Sequence, residues 1–269
     1  MSGDTGVIVI GWTELALATL FMLFTGGLAM ALQLGLTKSL WIATLRTYLQ
    51  LLALGLVLNW VFAVDEPLIV FAIITVMTAV AAQAIVKRAP QAPRGTYLSA
   101  WFAMALPAFI ITFAVTGLII HVEPWYLPRY VIPIAGMIIG NSMNGIALAL
   151  ERSFADMDSR ENEILALTAL GATPWEAARE SVRTALRAGM IPGINMLSTV
   201  GIVFIPGMMA GQVLAGADPL VAAPYQIVVM MMVATADVLG STIVVLLTFR
   251  RRFTPEGIFL EKGLRPHAR

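Results

Sequence analysis

The sequence predicts an all-α, polytopic membrane protein with about seven transmembrane helices, its N-terminus outside and its C-terminus cytoplasmic. Three observations carry this. Apolar residues make up 59% of the 269 and charged residues only 12%, against about 25% charge in a soluble domain, and mean hydropathy is +0.85. The apolar residues fall in runs long enough for a helix to cross the hydrocarbon, which takes about 20 residues at 1.5 Å rise. The arginines and lysines collect in alternate connections rather than in all of them. The runs are too long, and too uniformly apolar, for the alternating strands of a membrane β-barrel.

The predicted spans are residues 12–36, 40–63, 67–86, 96–120, 129–150, 189–214 and 224–249. Residues 1–11 lack the basic start of a cleavable signal, and the first run is too long for a signal core. Lys38, Arg46, Lys87, Arg88, Arg94, the 151–187 segment with its arginines, and the tail after the last span share one side. Asp4, Glu14, Asp65, Glu66, His121, Glu123, Arg129 and Asp218 share the other. Of 17 basic residues only Arg129 lies on the second side. The arginine-rich side is then the cytoplasmic one, and an odd number of spans follows. Trp12, Trp60, Trp125 and Tyr126 fall near the outer boundary, where an aromatic belt sits. With zero cysteines there is no disulfide and no thiolate metal site. The whole chain, 1–269, reads as a single integral membrane domain.

Between the fifth and sixth spans lies a charged segment, about 151–188, that reads as a cytoplasmic helical hairpin. A first helix over about 158–170 carries Ile164, Leu167 and Leu170 on one side. Gly171 closes it in the left-handed conformation. Thr173-Pro174-Trp175-Glu176 has the spacing of a capping box, with Thr173 at the N-cap, Pro174 at N1 and Glu176 at N3. The second helix places Trp175, Ala178, Val182 and Ala185 on one stripe and Arg179, Arg183 and Arg187 on another. Like charges four apart repel unless something opposes them. The segment is either an amphipathic helix on anionic lipid or a docking element for a cytoplasmic partner, with Trp175 as its knob.

Inside the spans, Asp237 stands at the middle of the seventh, and such carboxylates face a bundle interior or a water path. Arg46, in span two, is its expected partner, or else it snorkels to the surface. Gln50, Gln83, Asn141, Ser142 and Asn144 add amides and a hydroxyl, which either bond between helices or line a polar path. Span six is broken chemically by Pro192, Gly193, Gly201, Pro206, Gly207 and Gly211, as in helices that line substrate sites. Gln212 on that segment joins the path candidates. Met208-Met209 and Met230-Met231-Met232 are either apolar filler or ligands for a soft metal. The histidines, His121 and His267, sit in a loop and the tail, so no metal cage is visible. No cofactor and no nucleic acid are implied.

The hairpin "ALGATPWEAARESVRTALRAGMIPGI" resembles the cytoplasmic coupling loop of ATP-binding-cassette (ABC) permeases. It departs from that pattern at Leu165, where a glutamate belongs, Glu163 being displaced by two. "RTYLQLL" (46–52), "GMIIGNSMNGIALALER" (136–152), "FIPGMMAGQVLAGADPLVAAPYQIVVM" (204–230) and "DVLGSTI" (237–243) resemble the FetB/YbbM-type permeases. That resemblance implies the membrane half of an ABC transporter in the inner membrane, linked with export of iron or another metal. It implies a homodimer of permeases served by separate ATP-binding subunits. Plant relatives are linked with aluminium tolerance and, in one proposal, with a nucleotide sugar. Gly171, Thr173, Pro174, Trp175, Glu176, Arg179 and Arg183 would couple to the ATPase. The chain itself has no P-loop, since Thr37, Val86 and Glu261, never glycine, precede its three lysines. Two alternatives stay open: a proton-coupled secondary transporter using Asp237, and a scaffold whose spans carry nothing.

Overall fold

A computed structural model describes residues 10–64 and 66–260; Asp4, Asp65 and His267 lie outside them. Nine α-helices are present among the described residues: α1 (Trp12–Ala31), α2 (Thr37–Val64), α3 (Pro67–Lys87), α4 (Thr96–Ala114), α5 (Pro128–Ser159), α6 (Glu161–Ala169), α7 (Pro174–Thr199), α8 (Gly207–Leu214) and α9 (Pro219–Thr248). A π-helical turn (Val115–Ile119) extends α4, and a 3₁₀ turn (Phe249–Arg252) extends α9. The described residues contain no strand, only two isolated bridges, Val200 with Phe204 and Phe253 with Phe259.

The chain divides into two compact units, residues 1–65 with 212–217, and residues 66–211 with 218–269. In the first, α1 and α2 pack through a short turn in which Gln33 and Gly35 take positive φ. Gly26 lets the Trp41 indole lie against α1, 3.6 Å from where a Cβ would stand. The Tyr48 hydroxyl donates to the Leu15 carbonyl at 3.0 Å and lies 2.7 Å from the Thr19 hydroxyl. Most remaining side chains of this pair are apolar and exposed, Phe21 and Phe24 among them. That is the surface expected where lipid is the solvent.

In the second unit α5 and α9 are the central helices. Buried Val70, Ile74, Ala81, Ala82 and Ile85 give α3 one inward stripe at helical spacing. At the end remote from the hairpin, Phe71 stacks on Phe113 with centroids 5.0 Å apart, and Trp125 meets Phe113 edge-on at 5.3 Å.

Six described helices are long and apolar enough to cross a membrane: α1, α2, α3, α4 with its π turn, α5, and α9 with its 3₁₀ turn. The expected span at 189–214 is not one helix. Pro192 is absorbed inside α7, which runs unbroken from the hairpin to Thr199. The chain then breaks over 200–206, where Gly201 takes φ +79° and donates to the Phe204 carbonyl at 2.9 Å. Pro206 accepts from Ala210 as α8 begins. The expected rupture between residues 192 and 211 is therefore confined to seven residues. Pro192, inside α7, removes one backbone hydrogen bond without breaking the helix, whereas the left-handed glycine just past Thr199 stops it outright.

Candidate functional site

Small residues bring three helices together at the centre of the second unit. Along α5, Ser142, Gly145, Ala149 and Ser153 are buried at intervals of three and four; along α7, Ala178, Ser181, Ala185, Gly189 and Gly193 are. Without a hydrophobic drive between helices in lipid, such stripes let backbones approach closely enough for dispersion and polar contacts. The approach is tight. A Cβ at Gly189 would lie 2.7 Å from the Ala149 Cβ and 2.9 Å from the Ser241 Oγ of α9.

Into that junction α9 places Asp237. A Cβ at Gly145 would overlap its carboxylate, and one at Gly193 would stand 2.9 Å from Oδ2. The carboxylate fills the slot that the two glycines leave. Asp237 is only 3% exposed, and its Oδ1 has no hydrogen-bond partner among the described residues. Buried polar atoms left unpaired cost about 1–3 kcal/mol, so this arrangement runs against stability. Such placements are characteristic of sites kept for a task. Gln226, Ser241 and Thr248 are buried on the same face of α9, and neither polar atom of the Gln226 amide is partnered. The sequence reading missed Gln226, Ser241 and Gly145, and named Gly193 only among the residues that break span six.

The other expected path residues are scattered. Arg46 and Gln50 lie on α2 in the first unit, both exposed. Ser142 faces inward and donates to the Ile138 carbonyl at 2.5 Å. Asn141 and Asn144 are exposed; Asn141 Nδ2 donates to the Met137 carbonyl at 2.7 Å, and Asn144 Oδ1 accepts from Arg88 Nη1 at 2.6 Å. Gln212 is half-buried on α8. Gln83 is exposed on α3. No group of three or more His, Cys, Asp or Glu able to hold a metal occurs among the described residues.

The hairpin forms a second candidate site. Helix α6 ends in a Schellman pair, Ala172 N–H to the Leu167 carbonyl and Gly171 N–H to the Thr168 carbonyl, both 3.0 Å, with Gly171 at φ +91°. The capping box then starts α7: the Glu176 N–H donates to Thr173 Oγ1 at 3.3 Å, and the Thr173 N–H donates to Glu176 Oε2 at 2.8 Å. That backbone donor, with the Thr173 hydroxyl, holds the Glu176 carboxyl below its ordinary range. Arg160, between α5 and α6, donates to both oxygens of Glu163 on α6. This hydrogen bonding lowers the Glu163 pKa and raises that of Arg160. Trp175 is 46% exposed and rests edge-on against Phe249, centroids 5.6 Å apart. Arg179 and Arg183 are exposed, Arg183 lying 3.8 Å from Glu180.

Beneath the elbow, the segment after α9 is fastened to the hairpin. Arg252, 1% exposed, pairs with Asp158 of α5 at 2.9 Å and lies over the Phe154 ring at 5.0 Å. Arg251 donates to Ser99 Oγ at 3.0 Å and to the Arg94 carbonyl at 3.2 Å. The sequence reading had only counted these arginines as cytoplasmic charge.

Comparison with known proteins places this arrangement. The family model described as "Uncharacterised protein family (UPF0014)" matches residues 12–253. The UPF0014 membrane protein slr1647 of Synechocystis sp. is 38% identical over 93% of this chain and 96% of its own. YjkA of Bacillus subtilis is 36% identical over 90% and 96%, and the probable iron export permease protein FetB of Escherichia coli is 33% identical over 88% and 90%. No solved structure matches. A multi-pass location in the inner membrane fits these relatives and the apolar helices alike. On its sequence and its helices, the chain belongs to the UPF0014 family of membrane proteins.

Proposed function

We propose that this protein is the membrane half of an ATP-driven exporter, acting as a homodimer, with an ATP-binding subunit docked on the elbow at 171–183. The single observation that carries the reading is that elbow. A doubly capped turn presents a half-exposed Trp175 beside exposed Arg179 and Arg183, all on the first turns of α7. Exposed aromatics with flanking arginine are the composition of protein interfaces. The absence of a P-loop from the sequence puts hydrolysis on another chain. The 16 basic residues on the elbow's side support a cytoplasmic placement, with the N-terminus outside.

The cargo follows from two supports. The name of the E. coli relative points to iron, and Asp237 is a buried carboxylate suited to meeting a cation during passage. With no cage of ligands among the described residues, iron or another metal would be held weakly and passed on. A proton-coupled carrier using Asp237 is the second reading, favoured by its unpartnered Oδ1. The test is uptake of iron into inside-out vesicles. Loss on removing ATP, and loss in Trp175→Glu with insertion intact, is the expected result. Flux that survives ATP removal but collapses with the proton gradient would establish the carrier instead.

A further inference from the structure

A cleft of about 490 Å³ lies between the elbow and the chain that follows α9. One wall is made by Leu165, Ala172 and Pro174, the other by Glu256, Gly257 and Ile258. The second wall is a built hook. Phe253 and Phe259 pair as an isolated antiparallel bridge with rings 5.3 Å apart, and both are buried. Thr254 N–H donates to the Ile258 carbonyl at 2.8 Å, and Leu260 N–H donates to the Arg252 carbonyl at 2.8 Å. Gly257, at φ +88°, turns the hook; a Cβ there would lie 3.5 Å from Pro174. With Arg252 anchored on Asp158 and Phe249 under Trp175, hook and elbow form one surface.

We infer that the hook is the second half of the docking surface, so that the ATP-binding subunit inserts an apolar side chain between elbow and hook and sets a lysine or arginine against Glu256. This rests on the docking reading above. Two features of the cleft select such a partner. Ile258, which lines it, is 58% exposed, and Leu170, on the adjoining turn before Gly171, is 86% exposed, beyond the apolar spans and among charged residues, where apolar surface marks an interaction site. Among the described residues, Glu256 is the one charged residue lining the cleft, and the Thr254 hydroxyl holds its carboxyl below the ordinary range. A carboxylate there repels an anionic lipid surface and attracts a basic residue, which sets the register of docking.

The test is site-directed photo-crosslinking of the full chain in its native membrane, with a benzophenone side chain placed at Ile258 or at Trp175. Adducts are identified by mass spectrometry. The expected result is a P-loop protein at both positions, with Glu256→Lys lowering the yield at Ile258 about tenfold while the elution profile of the permease is unchanged. Adducts at Trp175 alone overturn the hook and leave the docking reading standing. Adducts at neither position overturn both. A second copy of this chain, or lipid alone, at Ile258 also overturns the hook. So does a wild-type yield in Glu256→Lys.

Discussion

Gly145→Ala is the substitution the three-helix junction predicts most sharply. The added methyl would occupy space filled by the Asp237 carboxylate. That carboxylate has little room to retreat, since it is only 3% exposed and packs close to the Gly193 backbone, where even an added Cβ would stand 2.9 Å from Oδ2. Overpacking of this kind costs about 1–3 kcal/mol. The gain in helix propensity from Gly to Ala offsets about 0.5–1 kcal/mol. The net expectation is a loss of about 1–2 kcal/mol, or about 2–8 °C in melting temperature at about 2–4 °C per kcal/mol for a chain of this size. Gly193→Ala, meeting only one end of a side chain, should cost less. Asp237→Ala in the Gly145→Ala background removes the clash, so the pair should show a coupling energy of about 1–2 kcal/mol. The assay is reversible unfolding of the purified protein in detergent, with all variants in one double-mutant cycle. An unshifted melt for Gly145→Ala, or additive losses in the double variant, would refute the slot.

Three further outcomes follow from named contacts. Asp237→Asn, which keeps the shape and removes the charge, should abolish vesicle transport while the protein still inserts and elutes normally; wild-type flux would take Asp237 off the path. Arg252→Ala should cost about 3 kcal/mol, because it leaves Asp158 without its buried partner, and joint replacement of Asp158 and Arg252 by apolar residues should recover most of it in the same melt. Glu176 titrates below its ordinary value in the fold. The capping box is therefore fully present above the unfolded carboxylate pKa of about 4.3 and is lost as pH falls through the lower folded value. Hydrogen exchange at Thr173 should lose protection across that window, and Glu176→Gln should remove the dependence.

What could be read in advance was local. Gly171, Thr173, Pro174 and Glu176 specify a turn within six residues, and the Schellman pair and capping box form as their spacing requires. The apolar helices are legible because lipid forces backbone polar groups to pair within each segment. The slot around Asp237 is not legible, because it is assembled from Gly145, Gly193 and residue 237, distant in sequence and adjacent only once α5, α7 and α9 have packed. The polar residues of α5 illustrate the same limit. Asn141 and Ser142 are neighbours in sequence but about 100° apart around a helix, so one is exposed and the other buried. Nor does proline content locate a break: Pro192 leaves α7 intact, and the helix stops at Thr199, just before left-handed Gly201 and seven residues short of Pro206.

The continuity of α7 has a mechanical consequence. From Trp175 to Gly193 the helix runs 18 residue steps without interruption, about 27 Å at 1.5 Å per residue, joining the exposed tip of the elbow to the backbone that walls in a buried acid. Pivoting such a strut by about 5° would swing its far end by roughly 2 Å, comparable to the clearance the glycine leaves. The unwound stretch just past Thr199 would take up the slack, letting the strut tilt without towing the short helix beyond it.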